Sequence, residues 1–166
     1  MNFAIYSDSA KAVELLLFDS DMDEPISRIP LLRSSNIWHV HVQNLRAGQM
    51  YAYSVDGPYE PKRGLRFNRN KTLLDPYSRL IVGSTSWDAK QAGYNPRDPG
   101  LDLSFDERDS DAVTAKSVVV DPYYDWKDDK PPLIHWRQMV IYETHVKGLT
   151  MLNQVVNPDD RGTFRR

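Results

Sequence analysis

The chain has 166 residues, 40% hydrophobic and 27% charged, with 21 basic against 23 acidic side chains and a formal net charge of −2. That balance can fill one good core, and it leaves no basic surplus for gripping the phosphates of a nucleic acid. With no cysteine, a disulfide framework, a thiolate metal site and a cysteine nucleophile are all excluded. The longest apolar run, Val13 to Phe18, contains Glu14 and is far too short to cross a bilayer. The N-terminus lacks the basic start and long apolar stretch of a signal peptide. The expectation is a soluble, cytoplasmic protein with no membrane and no nucleic-acid partner.

In chain order, Asn2 to Ser7 and Ala12 to Phe18 read as strands separated by the turn Asp8–Lys11. Val13, Leu15 and Leu17 share one face of the second. An acidic turn over Asp19–Glu24 leads to a third strand, Ile26 to Arg33, which Pro30 places at an edge or a bulge. Ile37 to Val42 alternates with Trp38, Val40 and Val42 on one face and His39 and His41 on the other. Met50 to Asp56 alternates again, and the connection before it carries Gly48 for a tight turn. Five short strands at this spacing predict an antiparallel β-sandwich. Leu73-Leu74 is expected to form a helical turn stopped by Asp75-Pro76, and Ile81 to Gly83 a closing strand. From Ser84 to Ala115 the pattern is polar and irregular. It reads as an ordered connector because it contains the large residues Trp87 and Tyr94. Ser117 to Val120 is a brief strand. Last comes Met139–Thr150, which opens on a short apolar run and closes at Gly148, as a buried parallel strand does.

These segments together resemble the N-terminal part of isoamylase-type glycogen-debranching enzymes, in glycoside hydrolase family 13. The matching stretches are Asn2–Ser7, Ala12–Phe18, Trp38–Val40, Gly57–Tyr59, Arg66–Lys71, Leu74–Tyr77, Ser104–Ser110, Val118–Asp121, Val140–Gly148 and Arg161–Thr163, all in one order. The resemblance implies an immunoglobulin-like sandwich over residues 1–105, similar to a family 48 carbohydrate-binding module. A connector over 106–136 would follow, and then over 137–166 the first strand and loop of an incomplete (β/α)8 barrel. A whole barrel takes about 250 residues, and Val140 to Arg166 holds enough for one strand and a loop. Relatives carry a strand before the segment matching Asn2, so the sandwich is expected to lack an edge strand here.

Glycoside hydrolysis takes two carboxyl groups flanking the scissile bond. In the family these come from later barrel strands whose motifs the chain does not contain, so no catalytic residue is assigned. Glu143 and His145 share a strand face, but two side chains do not make a metal site. Glu143 reads as a buried polar group rather than a sugar contact. His39 and His41 read as surface residues, and Asp106–Asp109 as a salt-bridged connector rather than an acidic catalytic cluster. No cofactor and no metal are expected. Sugar binding by a sandwich module uses flat aromatic faces with polar side chains beside them. Trp38 falls in phase with the core, and Tyr94 and Trp126 are further aromatics. The substrate-binding candidates are therefore Trp87, Tyr59, Asn70 and Lys71. Three readings remain open. One is a piece of an enzyme cleaving α-1,6 branch points in glycogen or a related α-glucan. Another is a stand-alone α-glucan-binding module. The third is a non-enzymatic fragment that associates with a partner, or with itself, through the strand Val140 to Val146.

Overall fold

The computed structural model describes residues 1–19, 23–83 and 87–164. Part of the acidic turn expected over 19–24, and the start of the irregular stretch at Ser84, lie outside the described residues. The chain divides into two compact units, Met1–Tyr123 and Tyr124–Arg166.

The first unit is a β-sandwich. One sheet orders β1 (Asn2–Tyr6), β5 (Ile37–His41) and β4 (Leu32–Ser34). The other runs β10 (Ile81–Val82), β11 (Lys116–Val118), β6 (Met50–Asp56), β2 (Ala12–Phe18) and β3 (Pro25–Pro30), with β9 (Thr72–Leu73) also on β6. Every pairing is antiparallel, and Leu15 lies opposite Tyr53 in the β2–β6 ladder. A two-stranded hairpin of β7 (Tyr59–Glu60) and β8 (Leu65–Arg66) stands apart. Its Pro61–Arg63 turn ends on Gly64 at φ 79°, a left-handed conformation that glycine adopts without steric cost.

Alternation explains the core. Val13, Leu15 and Leu17 from β2 meet Tyr51, Tyr53 and Val55 from β6, with Phe3 and Trp38 of the facing sheet against them. The opposite face of β2 is covered too. Leu16, Phe18 and Ala52 form a second buried cluster, and the Lys116 ammonium lies 4.4 Å from the Phe18 ring centroid. That is why β2 loses its polar face after Glu14.

Three expectations are corrected. The sandwich does not close at residue 105, because β11, from the expected connector, sits between β10 and β6. Its Lys116 and Ser117 are fully buried. Leu73 enters a short strand rather than a helical turn, because Thr72 and Leu73 pair with Ser54 and Tyr53. In the second unit, residues 139–145 pair with no strand among the described residues, and Val146–Thr150 is a short helix, α1. A parallel strand exists only through the ladders beside it. Lacking one, the stretch turns helical where the His145 ring accepts a hydrogen bond from the Gly148 amide at 3.2 Å. Val140, Ile141 and Tyr142 are exposed, as are Glu143 and His145. Glu143 is therefore not the buried polar group expected. Trp126, also in this unit, packs edge-on against Tyr124 at 4.8 Å.

Candidate functional site

A cleft of about 830 Å³ in the first unit opens between the end of β1, the β7–β8 hairpin and the loop from Gln91 to Asp102. Its walls are apolar, with Ile5, Val13, Val55, Leu65 and Phe67 among them, and its rim is polar, with Asp8, Ser9, Arg66, Tyr94 and Asp102. Apolar walls carrying a few placed polar groups are the usual make-up of a small-molecule site.

The loop that forms one wall has little regular structure of its own, so side chains hold it. Asn68 Nδ2 donates to the Gly93 carbonyl at 3.2 Å and to the Asp106 carbonyl at 2.8 Å. Lys71 Nζ donates to Lys90 O at 2.8 Å, Arg108 O at 2.6 Å and Asp106 Oδ2 at 3.1 Å. The Tyr59 hydroxyl donates to the Ser104 carbonyl, and the Tyr59 ring packs edge-on against Phe105 with centroids 4.8 Å apart. At the rim Arg66 Nη2 reaches Asp102 Oδ2 at 2.9 Å. Burial alone would raise the pKa of Asp106. The Arg108 guanidinium and amide and the Lys71 ammonium outweigh burial and hold the carboxyl at about 2.

This placement separates the four candidates. Tyr59 and Lys71 line the cleft. Lys71, however, is 5% exposed with all three ammonium donors engaged, so it braces the wall and presents no donor to a ligand. Tyr59 likewise uses its hydroxyl on the wall. Asn70 faces a different depression, beside Glu14, Arg28 and Arg69, and its backbone carbonyl accepts from the Ser110 amide. Trp87 is 100% exposed, so it does not anchor the irregular stretch. Trp38 is core, and its indole N–H donates to the Ser7 carbonyl at 3.0 Å. Arg66, Asn68 and Asp102 were not singled out as site residues. Two of them fall in the Arg66–Lys71 segment that carried the resemblance, and that segment was the available signal.

Several other charged groups are structural. Asp106 and Arg108 pair at 2.9 Å, as a salt-bridged segment should. Asp111 accepts from Arg28 at 2.9 Å and from Thr72, and its pKa is raised, mainly by burial. Lys116 donates to the Asp111 and Thr114 carbonyls, and its pKa is lowered, mainly by burial. His39 shares a hydrogen bond with the Ser34 hydroxyl. Among the described residues no three metal-ligating side chains gather, and no helix is long and apolar enough to cross a membrane.

Residues 1–78 match the family Carbohydrate-binding module 48 (Isoamylase N-terminal domain). The chain is 45% identical over 165 residues to a glycogen debranching enzyme of Pectobacterium atrosepticum, covering 99% of this chain and 24% of that relative. It is 43% identical over 165 residues to the glycogen debranching enzyme of Yersinia enterocolitica, again 99% of this chain and 24% of the relative. The chain thus spans about a quarter of the length of the curated relatives it matches. Among solved structures, a pullulanase of Paenibacillus barengoltzii in complex with maltohexaose and alpha-cyclodextrin superposes with a TM-score of 0.58 at 21% identity, over 92% of this chain and 19% of that one. The maltotriose complex of PulA from Klebsiella pneumoniae gives a TM-score of 0.58 at 20% identity, over 97% and 15%. At that identity the likeness is one of fold.

Proposed function

We propose, on the premise that residues 1–78 belong to the carbohydrate-binding module 48 family, that this chain is the α-glucan-contacting N-terminal portion of a cytoplasmic glycogen-debranching glycoside hydrolase. Its parent cleaves α-1,6 branch points in glycogen or a related α-glucan. The observation that carries this reading is the alignment of 99% of the chain with glycogen debranching enzymes at 45% identity. In this reading the hydrolytic acids lie in the parts of those relatives that the chain does not match. The chain supplies the sandwich and the start of the barrel over residues 137–166, where Met139–Tyr142 enters as a strand once neighbouring strands are present. Trp87 is the stacking platform for a glucosyl ring. Its indole is fully in solvent, and a flat aromatic face suits stacking on a pyranose ring. Tyr94, with the Arg66–Asp102 pair at the cleft rim, reads hydroxyls.

Electrophoresis through a glycogen-containing native gel tests this. The wild-type chain is expected to be retarded and Trp87→Ala to run several-fold less retarded at equal stability. Unchanged mobility of the wild type at every glycogen loading would refute sugar contact by the module. No release of reducing ends from glycogen or pullulan is expected from the chain alone.

The exposure of Val140, Ile141 and Tyr142 favours one further reading, association through that segment with another chain or a second copy. Sedimentation at rising concentration should then show oligomers in the wild type that Ile141→Asp abolishes. A monomer at all concentrations would rule out self-association.

A further inference from the structure

A second cleft, about 400 Å³, lies between β1 and the loop after β9. It is floored by Tyr51 and Tyr53 and rimmed by Asp75, Tyr77 and Arg79. Tyr53 is 0% exposed, and its hydroxyl is the buried side-chain polar atom left without a hydrogen-bond partner among the described residues. An orphaned buried donor costs about 1–3 kcal/mol in desolvation, so a position that keeps one invites a functional explanation. Burial first, and then the neighbouring Asp75 charge, push the Tyr53 pKa up, which keeps the hydroxyl a donor at all ordinary pH.

The groups around it are arranged and waiting. Asp75 is fixed, with Oδ2 accepting from the Tyr51 hydroxyl at 2.8 Å and Oδ1 from the Tyr77 amide at 2.8 Å. Its own amide donates to Ser117 Oγ at 3.1 Å. Each carboxylate oxygen keeps a lone pair for a further donor. Tyr77 is 81% exposed and offers a flat face at the rim. Arg79 is exposed and has no partner among the described residues. Met1 and Val42 exchange both backbone hydrogen bonds, so by antiparallel alternation Asn2 and Ala4 turn their backbone groups away from β5, beside the cleft. A buried hydroxyl donor, a fixed carboxylate acceptor, a guanidinium fork and an exposed aromatic face suit a neutral polyhydroxylated ring.

We propose that this cleft is a second saccharide site. A glucosyl hydroxyl bonds Tyr53 and Asp75, the ring lies on Tyr77, and Arg79 reads the neighbouring hydroxyls. The site rests on geometry independent of Trp87. Only the choice of an α-glucan as ligand rests on the function proposed above.

The whole chain with ring-labelled tyrosine and tryptophan, titrated with maltotriose by NMR and by calorimetry, tests the proposal. Maltotriose should shift the Tyr53 and Tyr77 signals, and Tyr53→Phe and Arg79→Ala should each weaken that event about five- to tenfold, as loss of one or two hydrogen bonds implies. Trp87→Ala should leave it unchanged. Tyr53→Phe should melt no lower than the wild type, because it removes only an unpartnered hydroxyl. Binding that leaves Tyr53 and Tyr77 silent, or variants that bind like the wild type, would overturn the second site and leave the proposed function standing. Binding that moves Tyr53 but not Trp87 would support the site and refute Trp87 as the platform. Failure of both maltotriose and glycogen to bind anywhere would overturn both.

Discussion

Replacing Asp106 by asparagine tests whether the wall of the main cleft is held by charge. The Asp106 carboxyl is 3% exposed. It accepts from Lys71 Nζ at 3.1 Å, from Arg108 Nε at 2.9 Å and Nη2 at 3.0 Å, and from the Arg108 amide at 3.2 Å. These contacts lower its pKa from 3.8 to about 2. A shift of that size corresponds to about 2 kcal/mol favouring the charged, folded form. Because the Arg108 side chain is 46% exposed, water screens part of that, and about 1–2 kcal/mol is the working figure. The sign follows from the direction of the shift. A carboxyl whose folded pKa is depressed contributes its full stability above the unfolded value, and loses it as pH falls through the folded one. The wild type should therefore lose about 1–2 kcal/mol between pH 4 and pH 2 through this group alone. Asp111, raised by burial, works in the opposite sense, so the clean quantity is the difference between wild type and Asp106→Asn. Urea melts at pH 7 should show Asp106→Asn destabilised by at least that amount, since Lys71 is left buried without its counter-charge. The gap should narrow steadily from pH 4 to pH 2. A gap that stays constant with pH, or no loss at pH 7, would refute the charge argument.

Leu15→Ala should lower stability by about 3 kcal/mol with the denaturant slope unchanged, because Leu15 is fully buried opposite Tyr53 and the neighbouring strands cannot collapse into the void. A loss under about 1 kcal/mol by urea titration would mean the core repacks. Gly57→Ala should cost about 1–3 kcal/mol, since a Cβ there would lie 2.6 Å from the Phe67 ring, and the same change should alter the main cleft that Phe67 lines. A variant as stable as wild type by thermal melt would show that the ring moves aside freely.

The sandwich was legible in the sequence because its strands alternate. β2, β5 and β6 were each placed to within a residue or two, and Trp38 was assigned to the core from phase alone. The misplaced boundary has a physical cause. β11 is three residues, Lys116–Val118, and two of the three are polar. Lys116 is buried because two carbonyls accept from its ammonium and the Phe18 ring lies beneath it. A buried lysine carries no apolar signal, so the strand was read as brief, over Ser117–Val120, and placed within the connector rather than in the sheet. The C-terminal stretch failed in the opposite way. Its composition is that of a strand, but strands are made by neighbours, and among the described residues Val140–Tyr142 pairs with none.

The same reasoning explains why the candidate sites were only half visible. Aromatic residues in loops can be picked out from a sequence, but whether a ring is spent on packing depends on contacts far along the chain. Tyr59 bonds a carbonyl 45 residues away, whereas Trp87 is 100% exposed. Lys71 looked like a ligand donor because lysine usually sits in water. It is instead the residue that pins Lys90, Asp106 and Arg108 together. The second cleft had no sequence signal as a site, since Tyr51 and Tyr53 alternate as core residues should, and they are core. What distinguishes Tyr53 is a hydroxyl with no hydrogen-bond partner among the described residues, a property of the assembled sandwich and not of any segment. Polar contacts of long sequence range therefore decide which surface groups remain free for a ligand. On that criterion Trp87, Tyr77, Arg79 and the Tyr53 hydroxyl are free among the described residues, while Tyr59 and Lys71 are committed.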